Sequence, residues 1–374
     1  MQSTRAFITL DALRGIAALA VISWHGGRLF GDDGPVFTSA ILAVDLFFIL
    51  SGFVLTHAYE QRLNTGLSVP DFIRMRLIRL YPLYLLGFLV AGLAVALRLY
   101  AGMAEGSTEL GVAAVLNALM LPNPATGSPP FLFHFNFPAW SLFFELVANI
   151  AFALFGARLS LRQLVIFVGI LGAALIAITL RNHSFDLGAS WRTFDGGLAR
   201  AMFGFFAGVL LYRLRDKFAF TARIQSTTMV VVLAAFTLAT FLPRIALGDW
   251  RPPAELKLLF AMALYPALIL VAARYEPGAR LLPICSWLGV ASYAAYVLHV
   301  PMHSLGGVVA QLSAGVWLER YAPVSGLAFI IVIGLCAWAA DKYWDRPIRA
   351  FLSQKLAPAR KPAPVAPAAV DTAP

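Results

Sequence analysis

Apolar runs of a length set by the thickness of a lipid bilayer recur along this chain, and they admit one class of architecture. A helix crossing the hydrocarbon core needs roughly 17–25 predominantly apolar residues. Ten stretches fit, at about 6–27, 36–58, 80–99, 138–157, 163–180, 196–212, 226–242, 257–273, 284–305 and 323–341. A further apolar stretch, 110–121, is too short to cross and reads as a re-entrant or interfacial piece. Backbone polar groups inside a bilayer must bond within their own segment, which makes such runs helices. Charged residues are 13% of the chain against 60% hydrophobic, where soluble domains carry about 25% charged residues. The expected fold is an all-α polytopic membrane protein with about ten transmembrane helices. Residues 1–350 form the membrane-embedded domain, and 351–374, rich in Pro and Ala, form a disordered tail.

The net charge of +10 has to be read by position. Nucleic acid is not the implied partner, because membrane proteins concentrate Lys and Arg on cytoplasmic segments. With the N-terminus inside, nineteen of the 29 basic residues fall on the cytoplasmic side and eight on the outer side. The longest outer loop, 100–137, has none. Both termini are therefore expected in the cytoplasm. A cleaved signal peptide is disfavoured, since no small-residue cleavage site follows the first apolar run. Cys285 and Cys336 sit in apolar segments without metal-ligand spacing, so no metal is expected. The outer stretch 121–138, dense in Pro and Phe, suits the membrane interface or a lid over a cavity.

Ionisable residues inside spans are costly and mark functional sites by default. The first span carries Asp11, Arg14 and His25. Eleven residues are about three helical turns, so Arg14 and His25 share one face roughly 16 Å apart, with Asp11 near the same stripe. Asp45 lies in span two, in a run ending Ser51-Gly52. Trp140-Ser141 and Glu145 open span four, and Arg200 lies in span six. Asp45 and Glu145 could equally pair with Arg14 or Arg200 to hold helices together, or orient His25. Ser292, Tyr296 and His299 share a face of span nine and suit interhelical hydrogen bonding. Arg74, Arg76 and Arg79 cluster at the cytoplasmic mouth of span three. They could anchor topology or bind an anionic cofactor, since guanidinium groups match phosphate oxygens. His25, with buried acids available to orient its ring, is the candidate general base for a hydroxyl nucleophile. His57, His134, His183 and His303 carry no assignment.

The ordered set Asp11-x-x-Arg14-Gly15, Arg14-x10-His25, Asp45-Leu46-Phe47-Phe48-x-x-Ser51-Gly52, Arg76-x-x-Arg79-x-Tyr81-Pro82, Trp140-Ser141-Leu142-x-x-Glu145, Ser292-Tyr293-x-x-Tyr296-x-x-His299 and Arg346-Pro347 resembles the acyltransferase-3 family of integral membrane acyltransferases. Each motif alone is weak; the order over residues 8–350 carries the resemblance. It implies helices enclosing a central acyl-CoA/acceptor cavity in the bacterial inner membrane. The implied reaction moves an acyl group, commonly acetyl from acetyl-CoA, to a hydroxyl of a glycan or lipid-linked sugar at the outer side. It also implies that Arg14 and His25 are essential and that Arg76 and Arg79 hold the CoA phosphates. His25 would act as general base or transient acyl carrier. A proton-coupled exporter is the competing class, but the internal repeats and paired broken helices frequent in such transporters are not evident. A non-catalytic scaffold would have little use for His25.

Overall fold

The computed structural model describes residues 7–31, 36–103, 108–123, 130–217, 226–242, 244–247, 250–315 and 317–356. Among these the secondary structure is helical, with an isolated bridge joining Phe131 to Ser190. The principal helices are α1 (Ile8–His25), α2 (Ala43–Asn64), α3 (Val69–Tyr100), α4 (Thr108–Ala118), α5 (Ala139–Leu154), α6 (Leu161–Asn182), α7 (Phe194–Leu214), α8 (Ser226–Thr240), α9 (Ala254–Ala272), α10 (Leu282–Ala314) and α11 (Val324–Lys355). Each of the ten apolar stretches falls on one of them. Eight, namely α1, α2, α3, α6, α7, α9, α10 and α11, are long and apolar enough to cross a membrane. The shorter α5 and α8 have 16 and 15 residues, and the 11-residue α4 takes up most of the short apolar stretch 110–121.

Two differences from the expected boundaries matter. First, α3 begins at Val69 rather than near 80, so Arg74, Arg76 and Arg79 ride on its opening turns instead of in a loop. Ser68 caps it by accepting from the Asp71 backbone N–H at 3.2 Å, with Pro70 and Asp71 in the first turn. Second, α11 runs past 350 to Lys355, so the tail starts later than 351; residues 357–374 lie outside the described residues.

The bundle is organised by two intimate helix pairs, α1 with α10 and α2 with α7. Small residues let backbones approach closely where lipid supplies no hydrophobic drive between helices. A Cβ on Gly52 would lie 1.8 Å from the Phe205 carbonyl oxygen, and one on Gly208 would lie 2.1 Å from that of Ile49. In the other pair a Cβ on Gly15 would press the Leu288 backbone at 2.8 Å. Helix α10 also packs on α3 and α11, placing it at the centre.

Proline inside α10 leaves a mark on the fold. Pro301 has no N–H to give the Val297 carbonyl one turn back. Asn136 takes its place, its amide donating to Val297 O at 3.0 Å. The described part of the 121–138 stretch folds inward around this contact. Leu132 and Phe133 are buried, and Asn117 and Asn123 bind its backbone.

Candidate active site

The polar faces of α1 and α10 look at each other. Arg14 Nε donates to Ser292 Oγ at 3.0 Å, and Nη2 donates to Gly289 O at 3.1 Å while pairing with Asp11 at 2.8 Å. Three turns on, the His25 and His299 rings meet, with Nδ1 of His25 3.0 Å from Nε2 of His299. Tyr296 lies between these contacts on α10. The stripe expected on α1 and the hydrogen-bonding face expected on α10 are thus two sides of one seam.

Two cavities flank it. One, of about 210 Å³, is lined by Arg14, Arg76, Arg79, Ser51, Glu145 and Ser292 together with apolar side chains of α2. The other, of about 130 Å³, is lined by His25, Trp24, Phe137, Trp140, Asp186 and neighbouring aliphatic residues. Both touch Val44 and Tyr296. At this constriction the Tyr296 hydroxyl bonds Ser141 Oγ at 2.7 Å, and Ser141 Oγ donates to Pro138 O at 3.0 Å. The Phe47 ring meets Tyr296 edge-on at 5.5 Å.

In the larger cavity the arginines are held by side chains from other helices. Arg76 pairs with Glu145 at 3.5 Å, and Glu145 also accepts from Ser51 Oγ at 2.6 Å. Arg79 faces Asp345 at 3.5 Å and lies over the Tyr293 ring, 5.3 Å from its centre. Arg14 and Arg79 keep 32% and 35% of their side chains exposed, so their remaining N–H groups can reach an anion. The structure does not bring Arg74 here. It pairs with Asp71 at 3.2 Å and donates to the Leu356 carbonyl on the outer face of α3.

Neither acid expected to orient His25 touches it. Asp45 is taken by Arg200, whose Nε and Nη2 donate to its two oxygens at 3.0 and 2.7 Å. Arg200 is fully buried, also donates to the Leu187 and Ile41 carbonyls, and lies beside the Phe185 and Trp140 rings. This is a staple between α2, α7 and the loop after α6. Glu145 serves Ser51 and Arg76. The ring beside His25 is His299, which sequence reasoning placed among helix-bonding residues. Trp24 and Phe137 pack edge-on against His25 at 4.7 and 6.1 Å. Its Nε2 is buried without a partner.

Sequence reasoning gave no role of their own to Asp345, Tyr293 or Asn136. Asp345 had a readable signal, an acid next to the Arg346-Pro347 motif. Among the described residues no cluster of His, Cys, Asp or Glu is arranged to hold a metal ion.

The chain is also similar in sequence to known proteins. A family model described as an acyltransferase domain, acyltransferase-3, matches residues 7–341. Protein 2 in the picA locus of Rhizobium radiobacter is 40% identical over 182 residues, covering 46% of this chain and 93% of that protein. Acyltransferase MdmB of Streptomyces mycarofaciens is 31% identical over 192 residues, covering 48% of each chain. No solved structure matches.

Proposed function

The chain belongs to the acyltransferase-3 family of membrane acyltransferases, and on that premise we propose that it carries an acyl group from cytoplasmic acyl-CoA to a hydroxyl of a glycan or lipid-linked sugar at the outer face. Acetyl is the expected group. The observation that carries this reading is the unpartnered Nε2 of His25, buried on a ring that lines a cavity. Buried polar atoms are otherwise paired in folded proteins, and an exception calls for an explanation.

The larger cavity suits the donor. Two arginines on α3 stand beside a chamber walled mostly by aliphatic and aromatic side chains, which matches an anionic head followed by a slender apolar arm. Guanidinium groups bind phosphate oxygens through paired N–H donors. Acyl-CoA supplies a thioester, whose carbonyl carbon is open to attack by an oxygen nucleophile. Arg14 stands at the seam between the arginines of α3 and His25. It steadies the arm by its free N–H groups and is too far from His25 to reach the same atom.

The acceptor hydroxyl enters the smaller cavity, where the aromatic faces of Trp24, Phe137 and Trp140 offer the surfaces a sugar uses, beside an Asp186 carboxylate held by Lys257 at 2.8 and 2.9 Å. His25 Nε2 removes the hydroxyl proton as the oxygen bonds to the carbonyl carbon. The carbon–sulfur bond then breaks, and the leaving thiolate takes the same proton back from His25 Nε2. The products are the ester and the free thiol, and His25 ends as it began.

Both termini lie in the cytoplasm of the bacterial inner membrane on this reading, with the α3 arginines inside and His25 near the outer face. The decisive experiment is mass spectrometry of surface glycans and lipids from cells with and without the gene. Loss of an acyl ester with the gene identifies the acyl group and its acceptor together. Unchanged glycans and lipids, with substrate movement across vesicles independent of acyl-CoA, sink the proposal.

A further inference from the structure

His299 is fully buried on α10, and both its ring nitrogens are engaged. We propose that His299 is a positioning residue that fixes the tautomer of His25, so that Nε2 and not Nδ1 presents the lone pair to the acceptor hydroxyl. This rests on His25 being the general base.

The assignment follows from elimination. A neutral imidazole has one donor nitrogen and one acceptor nitrogen, and the neighbours decide which is which. Nδ1 of His299 lies 3.2 Å from the Ala295 carbonyl oxygen, which can only accept. His299 Nδ1 therefore carries the proton and Nε2 the lone pair. That lone pair faces His25 Nδ1 at 3.0 Å, which must then be the donor. The Val21 carbonyl oxygen, 3.1 Å from the same Nδ1, requires the same answer. The opposite assignment would set lone pairs against two carbonyl oxygens in a buried space. With Nδ1–H shared between His299 and Val21, the lone pair of His25 is confined to Nε2, the atom without a protein partner.

Val21 alone would hold the ring weakly, because its carbonyl already accepts the backbone N–H of His25 within α1. His299 supplies an acceptor from a second helix, so the ring is fixed from two directions. An imidazole suits the place better than a carboxylate would. It is fully buried, and a neutral acceptor orients the ring without bringing an uncompensated charge out of water. When His25 takes the hydroxyl proton on Nε2, the Nδ1–H bond to His299 also serves the resulting imidazolium.

Two measurements on the full-length protein test this. The first is nitrogen NMR of the detergent-solubilised protein labelled on its histidine rings, with His25→Ala identifying the His25 signals. Wild type should show His25 Nδ1 protonated and Nε2 unprotonated. His299→Gln, whose amide oxygen can occupy the Nε2 position, should keep that pattern, and His299→Leu should lose it. A wild-type ring protonated on Nε2, or a pattern unchanged in His299→Leu, overturns the proposal.

The second follows label from radioactive acetyl-CoA into membrane vesicles holding the native acceptor. His299→Leu should lower kcat about 10²-fold with KM for acetyl-CoA unchanged, and His299→Gln should restore it to within a few-fold of wild type. If His299→Gln and His299→Leu fall equally, the role is packing, and the proposal is wrong. The two readings separate cleanly. A fully active His25→Ala overturns the general base itself, whereas an inactive His25→Ala beside a fully active His299→Leu overturns only the role given to His299.

Discussion

Asp45–Arg200 and His25–His299 both join helices distant in sequence, yet they leave the protein in opposite conditions. Both oxygens of Asp45 are bonded, and Arg200 adds two carbonyls and two aromatic rings to its partners. Nothing there is left for a ligand. His25 reaches His299 and Val21 through one nitrogen, while the other stays unpartnered beside a cavity. A polar group in a membrane bundle is therefore read by what remains after its protein partners are counted. Fully engaged groups hold helices together, and a group such as His25, with an atom to spare beside a cavity, is open to a ligand.

Four outcomes would break or sharpen that contrast. Removing one member of the engaged pair, by Asp45→Asn or Arg200→Met, should cost about 3–5 kcal/mol of stability, because the other is left buried and unpaired. The measurement is thermal denaturation in detergent. The double variant Asp45→Leu/Arg200→Met should recover much of the loss, and single variants as stable as wild type would end the staple reading. His25→Ala should do the reverse, keeping the folded protein but lowering acyl transfer about 10³-fold. More than a tenth of wild-type activity remaining at equal protein level would remove His25 from the reaction.

Smaller effects are expected away from these pairs. Arg76→Ala and Arg79→Ala should each raise KM for acyl-CoA about tenfold, the scale of one charge-assisted contact. Arg74→Ala, on the outer face of α3, should leave KM unchanged. Equal effects at all three positions would make the cluster a general basic patch. Of similar size is Asn136→Leu, which orphans the Val297 carbonyl and should cost about 1–3 kcal/mol in the same thermal assay. No loss of stability would mean that the Pro301 gap is filled some other way.

Much of this was legible before any coordinates. Hydropathy located the helices because bilayer thickness dictates their length. Polar residues inside spans stood out because they are expensive there. Partner choice was not legible. Asp45 meets Arg200, 155 residues away, and no local pattern selects it over Arg14. His299 looked like helix glue because an apolar span with Ser and Tyr at helical spacing has that use more often. The early start of α3 is legible in Ser68-Val69-Pro70-Asp71, a helix-opening sequence that stands about ten residues ahead of the apolar run. Asn136 had only an indirect signal. A proline four residues past Val297 frees a carbonyl, and a freed carbonyl in a bilayer must find a donor.

The constriction at Val44 and Tyr296 has an electrical consequence. A membrane that stores a voltage tolerates a wet recess from either side but not a passage through it. Here the recess with the arginines and the recess with His25 meet at an aromatic ring and an aliphatic side chain. The Tyr296 hydroxyl at this point is bonded to Ser141. On the proposed route the acyl arm threads this point to bring its thioester to His25, so the substrate itself fills the place where the two recesses meet.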